Sequence, residues 1–197
     1  HIESGFVPGA IYQFAYRSQN PQVAGLGLAG VRDLMSWVRH EPTALVRGTQ
    51  VYAFGISQSG RFLREMLYLG LDEDKQGRMV FDAVWPHVAG GRRGEFNLRF
   101  GQPSLNSQGT VGSLPPFNDE GLYAKLVARG RQPKIFATNT SAEYWRGDAS
   151  LIHTDDSGMK DAEPATFART YLFACTQHTS SSIPPPPTDA NTGARGA

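Results

Sequence analysis

The sequence predicts an α/β fold with a mostly parallel sheet and flanking helices. Three observations carry that prediction. Short apolar segments of strand character recur along the chain, amphipathic helical segments alternate with them, and at one point a strand runs into a helix through a tight turn. At 197 residues the chain has the length of one domain, enough to bury a single core.

The elements follow in order. Residues 11–16 (IYQFAY) alternate apolar and polar side chains after Pro8 and Gly9, as a half-buried strand requires. In residues 27–42 (GLAGVRDLMSWVRHEP), Val31, Leu34, Met35 and Val38 form one apolar stripe and Pro42 closes the segment, so a helix is expected with the sheet under that stripe. Residues 25–30 (GLGLAG) read as an ordinary turn before it, because their glycines lack the dinucleotide-binding spacing. Residues 50–56 (QVYAFGI) form a strand, followed at once by a helical pattern ending on Gly70 in a C′-like position. Residues 79–85, 134–138 and 170–175 read as three more strands. Between Gly90 and Pro133 the pattern breaks into Arg-, Gly- and Pro-rich sequence with one helix, 119–129, capped by Asn118 and Gly130. A segment of that length without sheet pattern reads as functional, such as a lid, or as disordered; the lid is placed at about 91–131 within a core spanning 1–178. Residues 179–197, rich in Ser, Pro and Gly, read as a linker or disordered tail, with Pro184–Pro187 extended.

Composition excludes several classes. A formal net charge of +1 gives no global field to recruit nucleic acid, and no run of 18 apolar residues exists to cross a bilayer as a helix. The single cysteine, Cys175, excludes an internal disulfide and a multi-cysteine zinc site, and its place in an apolar run reads as a small buried hydrophobe. No metal-ligand spacing or phosphate-binding loop is present, so no cofactor is expected.

The chemistry concentrates in residues 55–60, GISQSG. A serine at a strand-to-helix junction has its hydroxyl lifted clear of the sheet, and small neighbours relieve the crowding of the turn. The helix behind it offers unpaired N–H groups to a developing oxyanion, and the Gln58 amide is the first of them. Relative to a G-x-S-x-G elbow, Gly55 is kept and Ser59 stands at the second glycine position. Ser59 is the alternative nucleophile, although in a first helical turn it would cap the helix; a flexible loop with two solvated serines is the bland alternative.

A serine nucleophile needs a base and an acid, which in such folds follow it in the order acid, then histidine, on loops after later strands. Glu143 follows strand 134–138, and His178 lies just past the final strand. Asp148, Asp155 and Asp156 compete with Glu143 for the acid role. The candidate substrate contacts are Trp145 beside that acid, His87 at a strand end, and Arg99, which with Arg92 and Arg93 interleaves with Phe96 and Phe100 in a stretch suited to an anionic or aromatic group. Solvated charges over a satellite core are the alternative for the arginines.

Residues 25–39 (GLGLAGVRDLMSWVR), 55–70 (GISQSGRFLREMLYLG), 81–103 (FDAVWPHVAGGRRGEFNLRFGQP) and 141–155 (SAEYWRGDASLIHTD) together resemble the α/β-hydrolase-domain family whose members carry a G-x-S-Q-S-G-R-F-L-R elbow and an E-Y-W-R-G segment. The resemblance implies an α/β-hydrolase fold with Ser57 as nucleophile, Glu143 as acid and His178 as base, in a serine hydrolase of carboxylic esters. Family members are described as esterases and are often exported, which leans towards a secreted or periplasmic protein. They are longer at both ends, so the chain reads as an internal fragment. Its N-terminal strands and second oxyanion amide would then precede His1, the missing parts of its own longer chain would be partners, and the sheet would keep an exposed edge. The expected substrate is a small-molecule or polymer ester. An acyltransferase or amidase with the same three residues, and a non-catalytic binding or assembly module, are the rival readings.

Overall fold

The computed structural model describes residues 5–10, 12, 16–17, 19–96 and 114–179. The predicted strand 11–16, Arg99 with Phe100, and the tail from residue 180 on therefore lie wholly or largely outside the described residues.

The described elements are α1 (Leu26–His40), β1 (Tyr52–Ile56), α2 (Gln58–Leu69), β2 (Ala83–His87), α3 (Asp119–Leu122), α4 (Ala124–Arg129), β3 (Lys134–Thr140), α5 (Ser141–Arg146), a 3-10 turn (Ala149–Ile152) and β4 (Ala168–Phe173). The four strands form one all-parallel sheet in the order β1-β2-β3-β4. Parallel register brings their C-terminal ends to one edge: Ile56 lies beside His87, His87 beside Thr138, and Thr140 beside Phe173.

One sheet face carries the core. Val84, Ile135 and Ala168 pack against Leu63, Met66 and Leu67 of α2 and against Leu122 of α3, Leu126 of α4 and Tyr123 between the two. The latter part of the predicted lid, from Phe117 to Leu126, is thus built into the core. The expected helix 119–129 is broken into two at Tyr123, but Asn118 caps Gly121 N–H at 3.2 Å and Gly130 ends the pair in a left-handed conformation, as expected. On the opposite face Tyr52, Phe54, Trp85, Phe136 and Tyr171 are 40–64% exposed. Successive rings there touch across the strands, with centroids 4.8 Å apart for Phe54–Trp85, 5.3 Å for Trp85–Phe136 and 5.0 Å for Phe136–Tyr171.

Four expectations are corrected. Helix α1 begins at Leu26, so most of the glycine run is its first turn rather than a preceding loop. Its predicted stripe does not lie on the sheet as a unit: Met35 packs on the core, but Val31 and Leu34 are exposed, while Leu28 and Ser36 are buried. Polar anchors set this rotation. Ser36 Oγ donates to Asp74 Oδ2 at 2.6 Å, Arg39 grips Asp82 through two hydrogen bonds of 2.9 Å, and His40 Nε2 donates to Met79 O at 3.1 Å. Strand β2 starts later than predicted, because Val80 and Asp82 spend their N–H groups on Asp72 O and Val51 O, both at 2.8 Å. Finally, Cys175 lies beyond the end of β4 and is exposed rather than buried in a strand.

Asp74 is the polar keystone of this end of the molecule. Burial pushes its pKa up, but donors from Ser36, Arg78 and Gln76 outweigh that and hold the carboxyl well below the ordinary carboxylate range. Asp74→Ala is expected to cost about 1–3 kcal/mol at pH 7, because it leaves the buried Ser36 hydroxyl unpaired and removes the shared acceptor of the Gln76 and Arg78 donors. Since the folded-state pKa is depressed, the contribution is complete above the ordinary carboxylate range and fades as pH falls through it towards the folded value. Urea midpoints at pH 7 and pH 3 check both points: the gap between wild type and variant should narrow in acid.

Candidate active site

Ser57 alone joins β1 to α2, with φ 57° and ψ −116°, a conformation that costs an L-residue energy and persists only where its surroundings hold it. Its N–H donates to His87 O at 2.9 Å, and its carbonyl accepts from Arg61 N–H at 2.9 Å. So sharp a turn presses strand and helix backbones together. A Cβ on Gly55 would stand 2.5 Å from Ser59 O, and one on Gly60 3.0 Å from both Gly55 O and His87 O. The second close approach therefore falls on Gly60, and Ser59 sits in an exposed position where its side chain is tolerated. Gly55→Ala is expected to destabilise the fold by about 3 kcal/mol, since backbone rather than a flexible side chain must give way; thermal unfolding measures it.

At the end of β3 the chain enters α5 through a capping box, in which Thr140 Oγ1 accepts the Glu143 N–H and the Glu143 carboxylate turns back on the N-cap. Glu143 Oε2 accepts Thr140 N–H at 2.7 Å and also the Thr140 hydroxyl, while Oε1 accepts from His178 Nδ1. Burial pushes the Glu143 pKa up. The Thr140 hydroxyl, His178 and the Thr140 N–H more than offset this and hold it below its ordinary value. Glu143, expected on a loop, thus sits in the first turn of a short helix.

Beyond β4 the chain bends at Cys175, whose φ is 59° and whose N–H donates to Ser141 Oγ at 2.8 Å. The bend returns His178 to the sheet edge, with Nε2 at 2.9 Å from Ser57 Oγ. An ionised carboxylate only accepts, so Nδ1 carries the ring proton and Nε2 presents its lone pair to the serine hydroxyl. Ser57, His178 and Glu143, 121 and 35 residues apart along the chain, form one hydrogen-bonded series.

The other predicted positions divide. Gln58 opens the 12-residue helix α2, so its amide is one of the first-turn donors without an intrahelical partner. His87 serves the elbow through its carbonyl; its ring lies on the aromatic face, with Nδ1 at 2.7 Å from Thr138 Oγ1 and Phe54 stacked beside it. Trp145 is 87% exposed on α5. Arg93 is buried over the Tyr68 ring, and Arg92 pairs with Asp148. Of the competing acids, Asp148 is spent on that pair and Asp155 on its own loop, where it accepts from Ser157 Oγ at 2.8 Å and Met159 N–H at 2.9 Å. Only Glu143 reaches His178 among these carboxylates. Thr140 and Ser141 escaped sequence reasoning, although the T-x-x-E pattern of residues 140–143 was there to be read.

A family model described as Alpha/beta hydrolase domain matches residues 10–197. The chain belongs to that family. No curated protein and no solved structure matches it significantly. Membership in the alpha/beta hydrolase domain family implies a hydrolase-type enzyme, and the all-parallel sheet with helices packed on it is the architecture expected of the sequence. Among the described residues no helix is long and apolar enough to cross a membrane, and no group of three or more His, Cys, Asp or Glu could hold a metal ion.

Proposed function

We propose that this alpha/beta hydrolase domain cleaves carboxylic esters through an acyl-enzyme, with Ser57 as nucleophile, His178 as general base and Glu143 as the acid that orients it. The observation that carries the reading is the hydroxyl–imidazole–carboxylate series standing at a strained strand-to-helix junction. His178 Nε2 takes the Ser57 proton as Oγ attacks the ester carbonyl. The resulting oxyanion receives the Gln58 N–H at the positive end of α2. The imidazolium, held between Ser57 and the Glu143 carboxylate, passes its proton to the leaving alcohol. Water then enters by the same route and releases the acid.

A fluorophosphonate tests this directly. It should add covalently to the peptide carrying Ser57, a short-chain ester should protect that peptide, and product analysis should find the acyl group on water. A folded protein that neither takes the label nor hydrolyses a panel of esters of varied acyl size and charge overturns the reading.

A further inference from the structure

Resting on that reading, the geometry points to the dipeptide Thr140–Ser141 as a positioning clamp that sets the acid and the base together, Thr140 by holding Glu143 and Ser141 by holding the chain that carries His178. Thr140 and Phe173 are register partners and the last residues of β3 and β4, so the two arms leave the sheet side by side and at one level. What lies beyond the sheet must then fix a carboxylate on one arm relative to an imidazole on the other.

On the acid arm, Thr140 gives two donors to one carboxylate oxygen, Oε2, from its N–H and its hydroxyl. With that oxygen occupied, the carboxylate cannot rotate freely, and Oε1 is left facing His178 Nδ1. The hydroxyl also accepts the Glu143 N–H, so it orients the side chain and the backbone that bears it. On the base arm, Cys175 stands in the left-handed region with φ 59°, which a residue with a Cβ adopts only under constraint. Two hydrogen bonds supply that constraint. Thr176 Oγ1 donates to Phe173 O at 2.6 Å within the arm, and Cys175 N–H donates to Ser141 Oγ at 2.8 Å across to the other. The second is the only bond of the pair that refers the His178 arm to the helix of Glu143. Adjacent residues therefore spend their hydroxyls on opposite members of one proton relay, and a displacement of either arm lengthens the contact between Oε1 and Nδ1. Misplacement on the order of 1 Å at reacting groups costs about 100-fold in rate.

Among the described residues, the charged groups that face Glu143 include His178 from the β4 arm and Arg61 from α2, with Arg92 beyond Arg61. None of them is altered by replacing Thr140, so a change in the pH profile of a Thr140 variant reports on the clamp.

The experiment compares full-length Thr140→Val, Thr140→Ser, Ser141→Ala and Ser141→Thr with wild type by kcat and KM over pH, and by the downfield proton resonance of the His178–Glu143 hydrogen bond. Thr140→Val should lower kcat about 10- to 100-fold with KM little changed. The acid limb of its profile should move to higher pH, because a carboxylate relieved of a donor holds the imidazolium more tightly. Thr140→Ser, which keeps the hydroxyl, should restore both. Ser141→Ala should lower kcat and broaden the downfield resonance, and Ser141→Thr should restore them. If one valine or alanine variant does not fold, the other arm still decides the question. Indifferent kcat, profile and resonance in a folded Thr140→Val or Ser141→Ala, or a hydroxyl-bearing replacement as impaired as its partner, overturns the clamp and leaves the hydrolase reading standing. Wild-type protein without label or turnover overturns the hydrolase reading itself, and the resonance still reports whether the two hydroxyls hold the arms.

Discussion

Ser57→Ala and His178→Ala are each expected to lower ester turnover about 10^6-fold, and the double variant to lower it no further. The equality follows from what the two side chains do. With Nε2 at 2.9 Å from Oγ, imidazole and hydroxyl act on one proton, and neither has a function in the chemical step without the other. A serine without its base stays protonated and weakly nucleophilic, and a base without its serine has only water to activate, from a place shaped for a side chain. What survives is the contribution of the Gln58 amide and the α2 N-terminus, which stabilise an oxyanion whatever the nucleophile. Purified variants, assayed at enzyme concentrations high enough to read such slow rates, measure it. A double variant slower than both singles by the product of their losses indicates that Ser57 and His178 act separately, contrary to the proposed mechanism.

The elbow was legible because its constraints are local. A strand, a single residue and a helix follow one another within residues 50–70, and the glycines that the turn requires, Gly55 and Gly60, flank the serine within one hexapeptide. The capping glycines and Asn118 were legible for the same reason. Residues positioned by distant parts of the chain were not. The rotation of α1 depends on Asp74 and Asp82, far along the chain, and apolar spacing alone points to the wrong face when Ser36 and Arg39 find buried carboxylates. Arg92 and Arg93 read as lid arginines until their partners, Asp148 and the Tyr68 ring, come into view. Which face of the strands is covered was not legible, because Phe54, Trp85, Phe136 and Tyr171 are as apolar as a core; that these rings line an exposed face is a property of the layers around the sheet. Glu143 was legible by its place after β3, yet its helix was too short to show a period, and only the threonine three residues before it announced the cap.

Glu143→Gln should cost about 10^4-fold in kcat while the protein stays folded, and the reason lies in which atoms donate. Both Thr140 donors point at Oε2, so a glutamine there must offer its carbonyl oxygen to Thr140. Its amide nitrogen then faces His178 and donates where the carboxylate accepted. Nδ1 must become the acceptor, the ring proton moves to Nε2, and Nε2 can no longer take the proton of Ser57. The side chain is nearly isosteric and keeps its cap, so the loss should fall on kcat and on the rate of fluorophosphonate labelling rather than on the unfolding midpoint. Asp148→Ala, which removes only the partner of Arg92, should leave turnover within a few-fold of wild type; a reversal of the two results would reassign the acid. Acid gives a second check through the sign of the shift. Because the Glu143 pKa lies below its ordinary value in the folded protein, the stability its charge contributes is complete above the ordinary carboxylate range and fades as pH falls through that range towards the folded value. Any small stability difference between wild type and Glu143→Gln should therefore close on that descent, while the kinetic gap stays open at every higher pH, since no protonation of the glutamine variant returns the lone pair to Nε2.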